Sequence, residues 1–391
     1  MFAELPDAAW TKREGLRALT NALGAENIRW VGGAIRDSLL GTDVNDVDCA
    51  TKLLPDDVIE RCKDAGIRTV PTGIDHGTVT AILKDGPVEI TTLRRDVATD
   101  GRRATVAYAK DWQEDAARRD FTINALFAHP DTLEVSDYFG GLADLEARTV
   151  RFIGDARQRI REDHLRILRY FRFQARFGAE LDNQAEEACA ELASTLKGLS
   201  RERIAAELTA LLTLPNPQPT VARMRKLGVL QEVLPEACPQ HIELLSAVIN
   251  SEKEQIVAPA PMRRMAALLP PIPDVADAVA SRLRLSRAQR AHLNAVAERK
   301  LEDLSDPRAL AYRESIDIAI DRVLLQGGDT APLKAWTVPQ LPMKGGEIVE
   351  RGISAGPEVA ATLRKVEDQW IKEGFPRRDR VLEILNEILS R

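Results

Sequence analysis

Two chemical features lie close together in one short stretch of the chain, a pair of glycines and a pair of aspartates. Gly32-Gly33 follows a short apolar run and precedes a helical pattern. Backbone N–H groups at such a turn can come close to an anion, and the helix dipole favours negative charge there. Arg36 belongs to the first helical turn and can add a charged, planar donor to the same phosphate. The stretch therefore predicts a phosphate-binding turn.

Asp46 and Asp48 follow this turn and stand two residues apart at the start of a second predicted strand. Residues i and i+2 of a strand share a face, so both carboxylates project together. Adjacent carboxylates repel each other unless a cation lies between them, which predicts a magnesium site. A phosphate cradle beside paired aspartates suits nucleotidyl transfer through two metal ions about 3.5–4 Å apart. The simpler interpretation is a Gly-Gly turn followed by two solvated aspartates.

Glu89 is a candidate third carboxylate. It lies in the β-rich run Val88-Glu89-Ile90. If this strand lies beside the strand of Asp46 and Asp48, Glu89 can bind metal or help to deprotonate an attacking hydroxyl. The alternative is an outward-facing strand glutamate without a catalytic role.

Arg118 and Arg119 lie in a predicted amphipathic helix over 111–127. Two arginines pointing towards the glycine turn would hold triphosphate oxygens, which need fixed bidentate donors. The alternative is a salt-bridged helix face. Asn124 interrupts an apolar run, and a buried amide requires hydrogen-bond partners. The polar segment 94–111 before this helix is either a mobile loop over an active site, carrying Arg102 and Arg103, or an ordinary surface loop.

A second arginine-rich stretch carries Asp163, Arg166, Arg169 and Arg172 at steps of three residues. This spacing predicts one helix face. Asp163 can only accept and Arg166 can only donate hydrogen bonds. Together they match the pairing edges of cytosine and adenine and oppose those of uracil and guanine. The alternative is a solvated face with i, i+4 pairs such as Glu162–Arg166.

The elements that position these groups change in character along the chain. Strands are predicted at 28–31, 46–50, 67–70, 77–83, 87–93 and 150–153, and helices at 34–40, 55–65 and 111–127. After Gly154 helical periodicity dominates, with proline-rich breaks. The chain is therefore predicted to be an α+β head with a small mixed sheet, followed by an all-α remainder.

Composition narrows the class of protein. The chain has 391 residues, 44% hydrophobic and 29% charged residues and a net charge of −6. These values are typical of a globular protein of several domains. Its four cysteines show neither zinc-ligand nor disulfide spacing. No apolar run is long enough to span a bilayer, and no export signal is evident. A cytoplasmic protein without membrane contact is expected.

The motifs occur together in one known family, in its order and at its spacing. The chain resembles the class II tRNA nucleotidyltransferases, the CCA-adding enzymes of the polymerase-β superfamily, whose family also includes bacterial poly(A) polymerases. The resemblance extends from about residue 28 to 210. The matching motifs in this sequence are Gly32-Gly33-xx-Arg36-Asp37, Asp46-x-Asp48, Glu89-Ile-Thr-Thr, Arg118-Arg119-Asp120-Phe-Thr-Ile-Asn124-Ala and Glu162-Asp163-xx-Arg166-xx-Arg169-xx-Arg172-Phe173.

The resemblance implies an organisation into domains. It implies a catalytic head with a five-stranded sheet over 1–153, a helical neck with a base-selecting helix over 154–213, and a helical body and tail that bind tRNA over 214–391. It assigns residues to three roles, which are magnesium for Asp46 and Asp48, nucleotide phosphate or sugar for Gly32, Gly33, Arg36 and Arg119, and the incoming base for Asp163 and Arg166. Arg169 and Arg172 resemble positions around the nucleotide, and Glu89 matches a third carboxylate position.

The implied activity is template-independent addition of CCA to tRNA 3′ ends from CTP and ATP, with Mg²⁺ as cofactor and release of pyrophosphate. The expected partners are the 3′ end and acceptor arm of tRNA, and the expected state is a monomer or homodimer. Four alternatives are open, namely a CC-adding enzyme, an A-adding enzyme, a poly(A) polymerase and a catalytically silent RNA-binding protein. The resemblance implies that bacterial poly(A) polymerases carry an arginine-rich segment after the glycine motif. This chain has Gly41-Thr42-Asp43-Val44 there, which favours tRNA end-building over polyadenylation.

Overall fold

The computed structural model of this chain describes residues 3–44, 46–99, 104–109 and 111–390. The chain divides into two compact units. The first unit comprises residues 1–211 and 219–233, and the second comprises residues 212–218 and 234–391. All predicted site residues belong to the first unit. The predicted borders of head, neck and body at 153 and 213 stay predictions.

The strands are confined to the first unit in the described part of the chain. They are β1 (Ala3–Glu4), β2 (Ile28–Val31), β3 (Asp48–Thr51), β4 (Arg68–Gly73), β5 (Thr78–Leu83), β6 (Gly86–Thr92), β7 (Arg94–Thr99), β8 (Ala104–Tyr108), β9 (Leu126–Ala128) and β10 (Glu134–Asp137).

The helices dominate after residue 154, as predicted. They are α1 (Glu14–Leu23), α2 (Gly33–Leu39), α3 (Pro55–Asp64), α4 (Trp112–Ala117), α5 (Gly141–Glu146), α6 (Ala156–Glu162), α7 (Arg166–Phe177), α8 (Asn183–Glu191), α9 (Arg201–Thr213), α10 (Gln218–Lys226), α11 (Val229–Val233), α12 (Pro239–Glu254), α13 (Pro261–Ala267), α14 (Pro273–Arg282), α15 (Arg287–Ala297), α16 (Glu302–Ser305), α17 (Pro307–Arg313), α18 (Ile316–Leu325), α19 (Gly346–Val349), α20 (Pro357–Lys372) and α21 (Arg378–Leu389).

The main sheet is mixed, as predicted, and has eight strands in the order β1-β10-β9-β2-β3-β6-β5-β4. It is larger than the five-stranded sheet implied by the resemblance, because the short strands β9, β10 and β1 extend it beyond β2. Strands β3 and β6 run parallel, whereas the other described neighbours in this sheet run antiparallel. Because β3 and β6 run parallel, Asp48 at the start of β3 is in register with Glu89, the fourth residue of β6.

Two predicted elements around the site are wrong. The helix over 111–127 ends at Ala117, and the chain continues through a 3₁₀ turn into β9. The strand over 150–153 is reduced to an isolated bridge between Phe121 and Phe152. Both errors have one cause, since the two segments hydrogen-bond to each other. Thr122 N–H donates to the carbonyl of Arg151, which replaces the helical bond that 111–127 would need.

The predicted loop over 94–111 also differs from the structure. Strands β7 and β8 pair antiparallel, with Arg94 opposite Tyr108 and Thr99 opposite Ala104. Arg102 and Arg103, which the sequence suggested as contacts over an active site, lie outside the described residues. The hairpin therefore accounts for the described part of this segment, and the role of its tip stays a prediction.

The second unit has its own core. Trp370 of α20 is buried with Val381 and Leu385 of α21. A separate group of buried charges joins α12, α13 and α18: Arg263 contacts both Glu252 and Asp321, and Arg264 contacts Glu252. No helix in the described part of the chain is both long and apolar enough to cross a membrane.

Candidate nucleotidyltransferase site

A cavity of about 750 Å³ opens in the first unit, and most of the predicted site residues line it. Strongly polar side chains form its walls, including seven arginines among the described residues. The lining residues are Gly32, Gly33, Arg36, Asp37, Asp46, Asp48, Arg118, Arg119, Asp120, Asn124, Asp163, Arg166, Arg169, Arg172, Phe173 and Arg176. Motifs that are far apart in the sequence thus meet at one site.

The glycine turn joins β2 to α2. Gly32 has φ of +70°, a backbone conformation that side-chain-bearing residues rarely adopt. A Cβ atom at Gly32 would also lie 3.4 Å from Nη1 of Arg119. Because α2 begins at Gly33, the backbone leaves the strand and enters the helix beside an arginine. The turn has the close backbone approach that phosphate binding requires.

Asp48 is the first residue of β3, and Asp46 lies two residues before the strand begins. The sequence prediction that both belong to the strand is therefore wrong, although both carboxylates line the same cavity. Burial raises the pKa of Asp48, and the charges of Glu89 and Asp46 raise it further, whereas Arg119 opposes them. The site thus concentrates negative charge that a cation would neutralise.

Glu89 lies directly beside Asp48, as its register partner in the parallel pair of β6 and β3. The two strands are therefore neighbours, which is the condition under which Glu89 was a candidate third carboxylate. Glu89 is exposed and does not line the cavity. Its catalytic role stays a prediction.

The donor set at the aspartates can be compared with the needs of a divalent metal. No group of three or more His, Cys, Asp or Glu side chains among the described residues could hold a metal ion. Asp46 and Asp48 alone would provide carboxylate oxygens. Mg²⁺ is usually bound in this way, by one or two carboxylates with water and substrate phosphates completing the shell. The residues present therefore fit a divalent ion that binds together with a nucleotide.

Asp115 holds both arginines of the Arg118-Arg119 pair. Its Oδ1 accepts from Nε of Arg118 at 2.7 Å, and its Oδ2 accepts from Nη2 of Arg119 at 3.1 Å. It also accepts a bond of 3.3 Å from the backbone N–H of Arg94, at the base of the β7–β8 hairpin. Burial alone would raise the pKa of Asp115, but the two guanidinium groups hold it below its ordinary value.

Asn124 and Asp120 connect the glycine motif with α7. The Asn124 amide donates to Asp120 at 3.0 Å and accepts from the guanidinium of Arg36. Asp120 also accepts from Nε of Arg169 at 2.7 Å. Burial would raise the pKa of Asp120, yet Arg169 and Asn124 lower it overall. The predicted need of Asn124 for partners is confirmed, and they belong to two different motifs.

Two further carboxylates complete the arginine array. Glu207 of α9 accepts from Nε of Arg172 at 2.6 Å and lies 3.6 Å from Nη1 of Arg169. Asp37 lies 2.9 Å from Nη2 of Arg36 and 3.2 Å from Nη2 of Arg176. All the arginines that the described residues place on the cavity wall thus contact a carboxylate.

Asp163 and Arg166 line the cavity, but they do not share a helix face as predicted. Helix α6 ends at Glu162, Asp163 has an extended backbone, and α7 begins at Arg166. Oδ2 of Asp163 accepts from Nη2 of Arg203 at 2.7 Å. Arg166 donates to Glu162 at 2.7 Å. The alternative interpretation expected this ion pair within one helix, whereas in the structure it joins the end of α6 to the start of α7. The spacing suggested one continuous helix, and it could not reveal this break.

The cavity includes residues that were not among the predicted site residues. These are Asp37, Asp120, Phe173 and Arg176. Most of them are adjacent in sequence to a predicted site residue of the same motif. Their position in the motif could therefore have indicated that they belong to the site. Arg176 continues the three- and four-residue spacing of α7 and could have been included. Asp115 and Glu207 do not line the cavity, but they accept hydrogen bonds from arginines that do. No sequence pattern marks that role.

A turn for phosphate, two aspartates and a wall of arginines define a nucleotidyltransferase site on a mixed sheet. Residues 28–151 match the family described as Poly A polymerase head domain, and residues 178–240 match the Probable RNA and SrmB- binding site of polymerase A. The mouse protein CCA tRNA nucleotidyltransferase 1, mitochondrial, is 38% identical over 387 residues, covering 93% of this chain and 87% of the relative.

Solved structures show the same fold over the whole chain. An apo CCA-adding enzyme superposes with a TM-score of 0.77 at 21% identity, covering 100% of this chain and 99% of that one. The Thermotoga maritima CCA-adding enzyme complexed with tRNA has a TM-score of 0.72 at 22% identity, with coverage of 100% and 99%. The chain belongs to the CCA tRNA nucleotidyltransferase family of the polymerase-β superfamily, whose enzymes generally use a divalent metal ion.

Proposed function

We propose that this protein adds C, C and A to the 3′ end of tRNA, using CTP and ATP and releasing pyrophosphate. The observation that carries the proposal is the single cavity in which the glycine turn, the two aspartates and the arginine wall meet. Membership in the CCA tRNA nucleotidyltransferase family supports the choice of substrates.

The triphosphate is assigned to the side of the cavity formed by the Gly32-Gly33 turn, Arg36 and Arg119. Nη1 of Arg119 lies 3.5 Å from the carbonyl of Asn124, and its Nη2 and Nε face Asp115. Arg36 is fixed by Asp37 and Asn124. Guanidinium groups held in this way present fixed donors, which orient a triphosphate for in-line displacement.

Asp46 and Asp48 are assigned to Mg²⁺, with Glu89 as a supporting carboxylate beside Asp48. The bound metal would supply Lewis acidity to the attacking 3′-hydroxyl and to the leaving pyrophosphate. Glu89 contributes negative charge at Asp48 without lining the cavity. Restoration of activity in metal-stripped protein by Mg²⁺, and not by Ca²⁺ or Zn²⁺, tests the choice of metal.

The incoming base is assigned to Asp163 and Arg166, with Arg169 and Arg172 beside it. Asp163 would accept from the exocyclic amino group of cytosine or adenine, and Arg166 would donate to the neighbouring ring nitrogen. Selection of the wrong base would leave buried polar groups without partners, at a cost of about 1–3 kcal/mol each. The present contacts of Asp163 with Arg203 and of Arg166 with Glu162 hold both side chains at the cavity.

The experiment uses tRNA transcripts that end before CCA, after C and after CC. Each is incubated with the protein, Mg²⁺ and single or mixed nucleotides, and the added lengths are read on a sequencing gel. Addition of three nucleotides to the shortest transcript, and no more, is the expected result. Asp46→Ala is the inactive control.

Other outcomes of the same gel identify the alternatives. Addition of only two nucleotides in the presence of ATP would indicate a CC-adding enzyme. Extension of the CC-ended transcript alone would indicate an A-adding enzyme. Long adenylate ladders would indicate a poly(A) polymerase. No extension of any transcript would contradict the enzymatic proposal and leave a silent RNA-binding protein.

We also propose a reducing compartment, with the cytoplasm as the expected one. All four cysteines are free thiols, and Cys49, Cys62 and Cys189 are buried. Burial raises the pKa of Cys62 to about 11, which keeps the thiol protonated and unreactive. The mouse relative is named as mitochondrial, so fractionation of cells with compartment markers tests the cytoplasmic assignment directly.

A further inference from the structure

Two phenylalanines of α7 lie underneath the arginines of the cavity. Phe173 and Phe177 are one helical turn apart, and their rings stack with centroids 5.9 Å apart and an angle of 17° between their planes. Phe173 is buried and lines the cavity, whereas Phe177 is partly buried behind it. We refer to the two rings together as the phenylalanine platform.

Arginines from two helices lie on this platform. The Cζ atom of Arg36 in α2 is 4.6 Å from the ring centre of Phe177 and 5.2 Å from that of Phe173. From α7 itself, Arg176 lies 4.6 Å from Phe177 and Arg172 lies 4.5 Å from Phe173. Such distances are typical of cation–π contacts, in which the negative ring face attracts the cation.

Arg36 has the greatest need of this attraction. Its side chain is 6% exposed, and its nearest carboxylate, Asp37, is shared with Arg176. Two guanidinium groups therefore share one carboxylate, and of the two only Arg36 is buried. Burial lowers the pKa of Arg36, and the charge of Arg176 lowers it further. The faces of Phe173 and Phe177 add negative potential beside Arg36, for which Asp37 is the one ion-pair partner among the described residues and Asp120 acts from farther away.

We propose that the phenylalanine platform positions Arg36 for the triphosphate through its ring electrostatics, with Phe177 as the positioning residue. The proposal rests on the proposed function of Arg36. Phe177 does not line the cavity, so it acts through Arg36 and Arg176. The triphosphate is common to CTP and ATP, so loss of the ring electrostatics weakens both nucleotides by the same factor.

The test replaces Phe177 by mono-, di- and trifluorinated phenylalanine. Fluorine withdraws electron density from the ring face while the size and shape of the side chain change little. We expect KM for CTP and KM for ATP to rise stepwise and in parallel, by about 3- to 30-fold at the trifluorinated ring, as expected for loss of a partly desolvated cation–π contact. The ratio of the two KM values and kcat should change by less than about twofold, since a lost contact of uniform binding raises KM alone.

The matched control is the same series at Phe171. It lies on the same helix and is buried against Tyr170, and the described residues place no guanidinium on its ring. Phe177→Leu is measured in parallel, because it removes the ring face but keeps an apolar side chain. Thermal unfolding of each variant shows whether the fold is retained.

Each outcome decides the proposal. A flat fluorine series at Phe177 in an active protein would overturn it, as would an equal response at Phe171 or a change in the CTP-to-ATP ratio. Failure of the unsubstituted protein to add nucleotides would instead contradict the proposed function. In that case the dissociation constant of CTP, measured by equilibrium dialysis across the same series, still tests the platform.

Discussion

Arginine–carboxylate pairs occur in both compact units, but the two groups differ in what they leave exposed. Around the cavity of the first unit, Arg169 and Arg176 keep 32% and 35% of their side chains exposed while contacting carboxylates. In the second unit, Arg263 and Arg264 are 5% and 1% exposed. The first group holds guanidinium donors ready for a ligand, whereas the second uses all its charges to join helices. The same ion pair can therefore serve binding or architecture. Exposure alone does not separate the two, because Arg36 of the cavity is only 6% exposed. The difference is whether the arginine faces the glycine turn and the two aspartates.

The comparison predicts that substitutions at the cavity change catalysis more than stability, and that substitutions in the buried group do the opposite.

The largest effect is expected for Asp46→Asn. Loss of a metal-binding carboxylate should reduce nucleotide addition by at least about 10⁴-fold, because metal Lewis acidity is worth several kcal/mol. Stability should be unchanged or slightly higher, since Asp46 and Asp48 repel each other. Single-turnover rates and thermal unfolding measure both, with exposed Asp64→Asn as the control.

Glu252→Gln in the second unit should give the opposite result. Glu252 is 2% exposed and contacts both Arg263 and Arg264, so its loss leaves buried cations with too few partners. We expect the free energy of unfolding to fall by about 3–5 kcal/mol. The kcat per folded molecule should stay within about twofold. The site lies in the other unit, so the substitution removes no contact with the substrate or the transition state. Denaturant titration measures the loss. A stable Glu252→Gln protein with impaired kcat would contradict the distinction between the two groups.

Asp115→Asn should have an intermediate effect, on nucleotide binding. The amide keeps the size of the side chain but loses the charge that orients Arg118 and Arg119. We expect KM for CTP and KM for ATP to rise about 10-fold. This factor corresponds to the lower end of the range of about 1.5–3 kcal/mol that is typical of hydrogen bonds to charged groups. Initial-rate kinetics on CC-ended and shorter transcripts measure this change. Equal KM values in the variant and the unsubstituted protein would show that the arginines hold their positions without Asp115.

The smallest effect is expected at the rim of the buried group, where His292 contacts Asp321 at 2.7 Å. The hydrogen bond to Asp321 raises the pKa of His292, with Asp317 adding to the increase and both burial and Arg263 opposing it. A raised pKa in the folded state gives stability that is complete below the unfolded pKa, near 6.5, and is lost as pH rises through the folded pKa. Unfolding of the protein should therefore be less favourable at pH 6 than at pH 9, by about 1 kcal/mol or less. His292→Gln should remove this difference.

The sequence predicted which residues line the cavity better than it predicted the backbone that carries them. Two β-rich runs predicted the strands that carry Asp48 and Glu89, although their pairing was only a condition. The glycine turn between β2 and α2 followed from composition and spacing. Strands and turns of this kind are local features. They can be inferred because turn residues and alternating patterns carry a direct physical signal.

The errors concern segments whose backbone bonds go to distant parts of the chain. Residues 118–125 have helical periodicity, yet Thr122 donates to Arg151 and Ile153 donates to Asp120. Asp163 and Arg166 have helical spacing, yet the chain breaks between α6 and α7 at that point. Asp115 and Glu207 could not be recognised as supports, because their role depends on tertiary contacts that no local pattern encodes.

The carboxylates behind the cavity arginines also affect how a nucleotide arrives. Every cavity arginine contacts a carboxylate, although Asp37 and Asp115 are each shared by two arginines. Asp46 and Asp48 add further negative charge, so opposite charges lie close together and the field of the wall decays quickly with distance. Long-range attraction between the cavity and a free triphosphate is correspondingly weak, although contact at close range is strong. Association of CTP should therefore depend little on ionic strength, and the affinity should be expressed mainly in a slow dissociation rate.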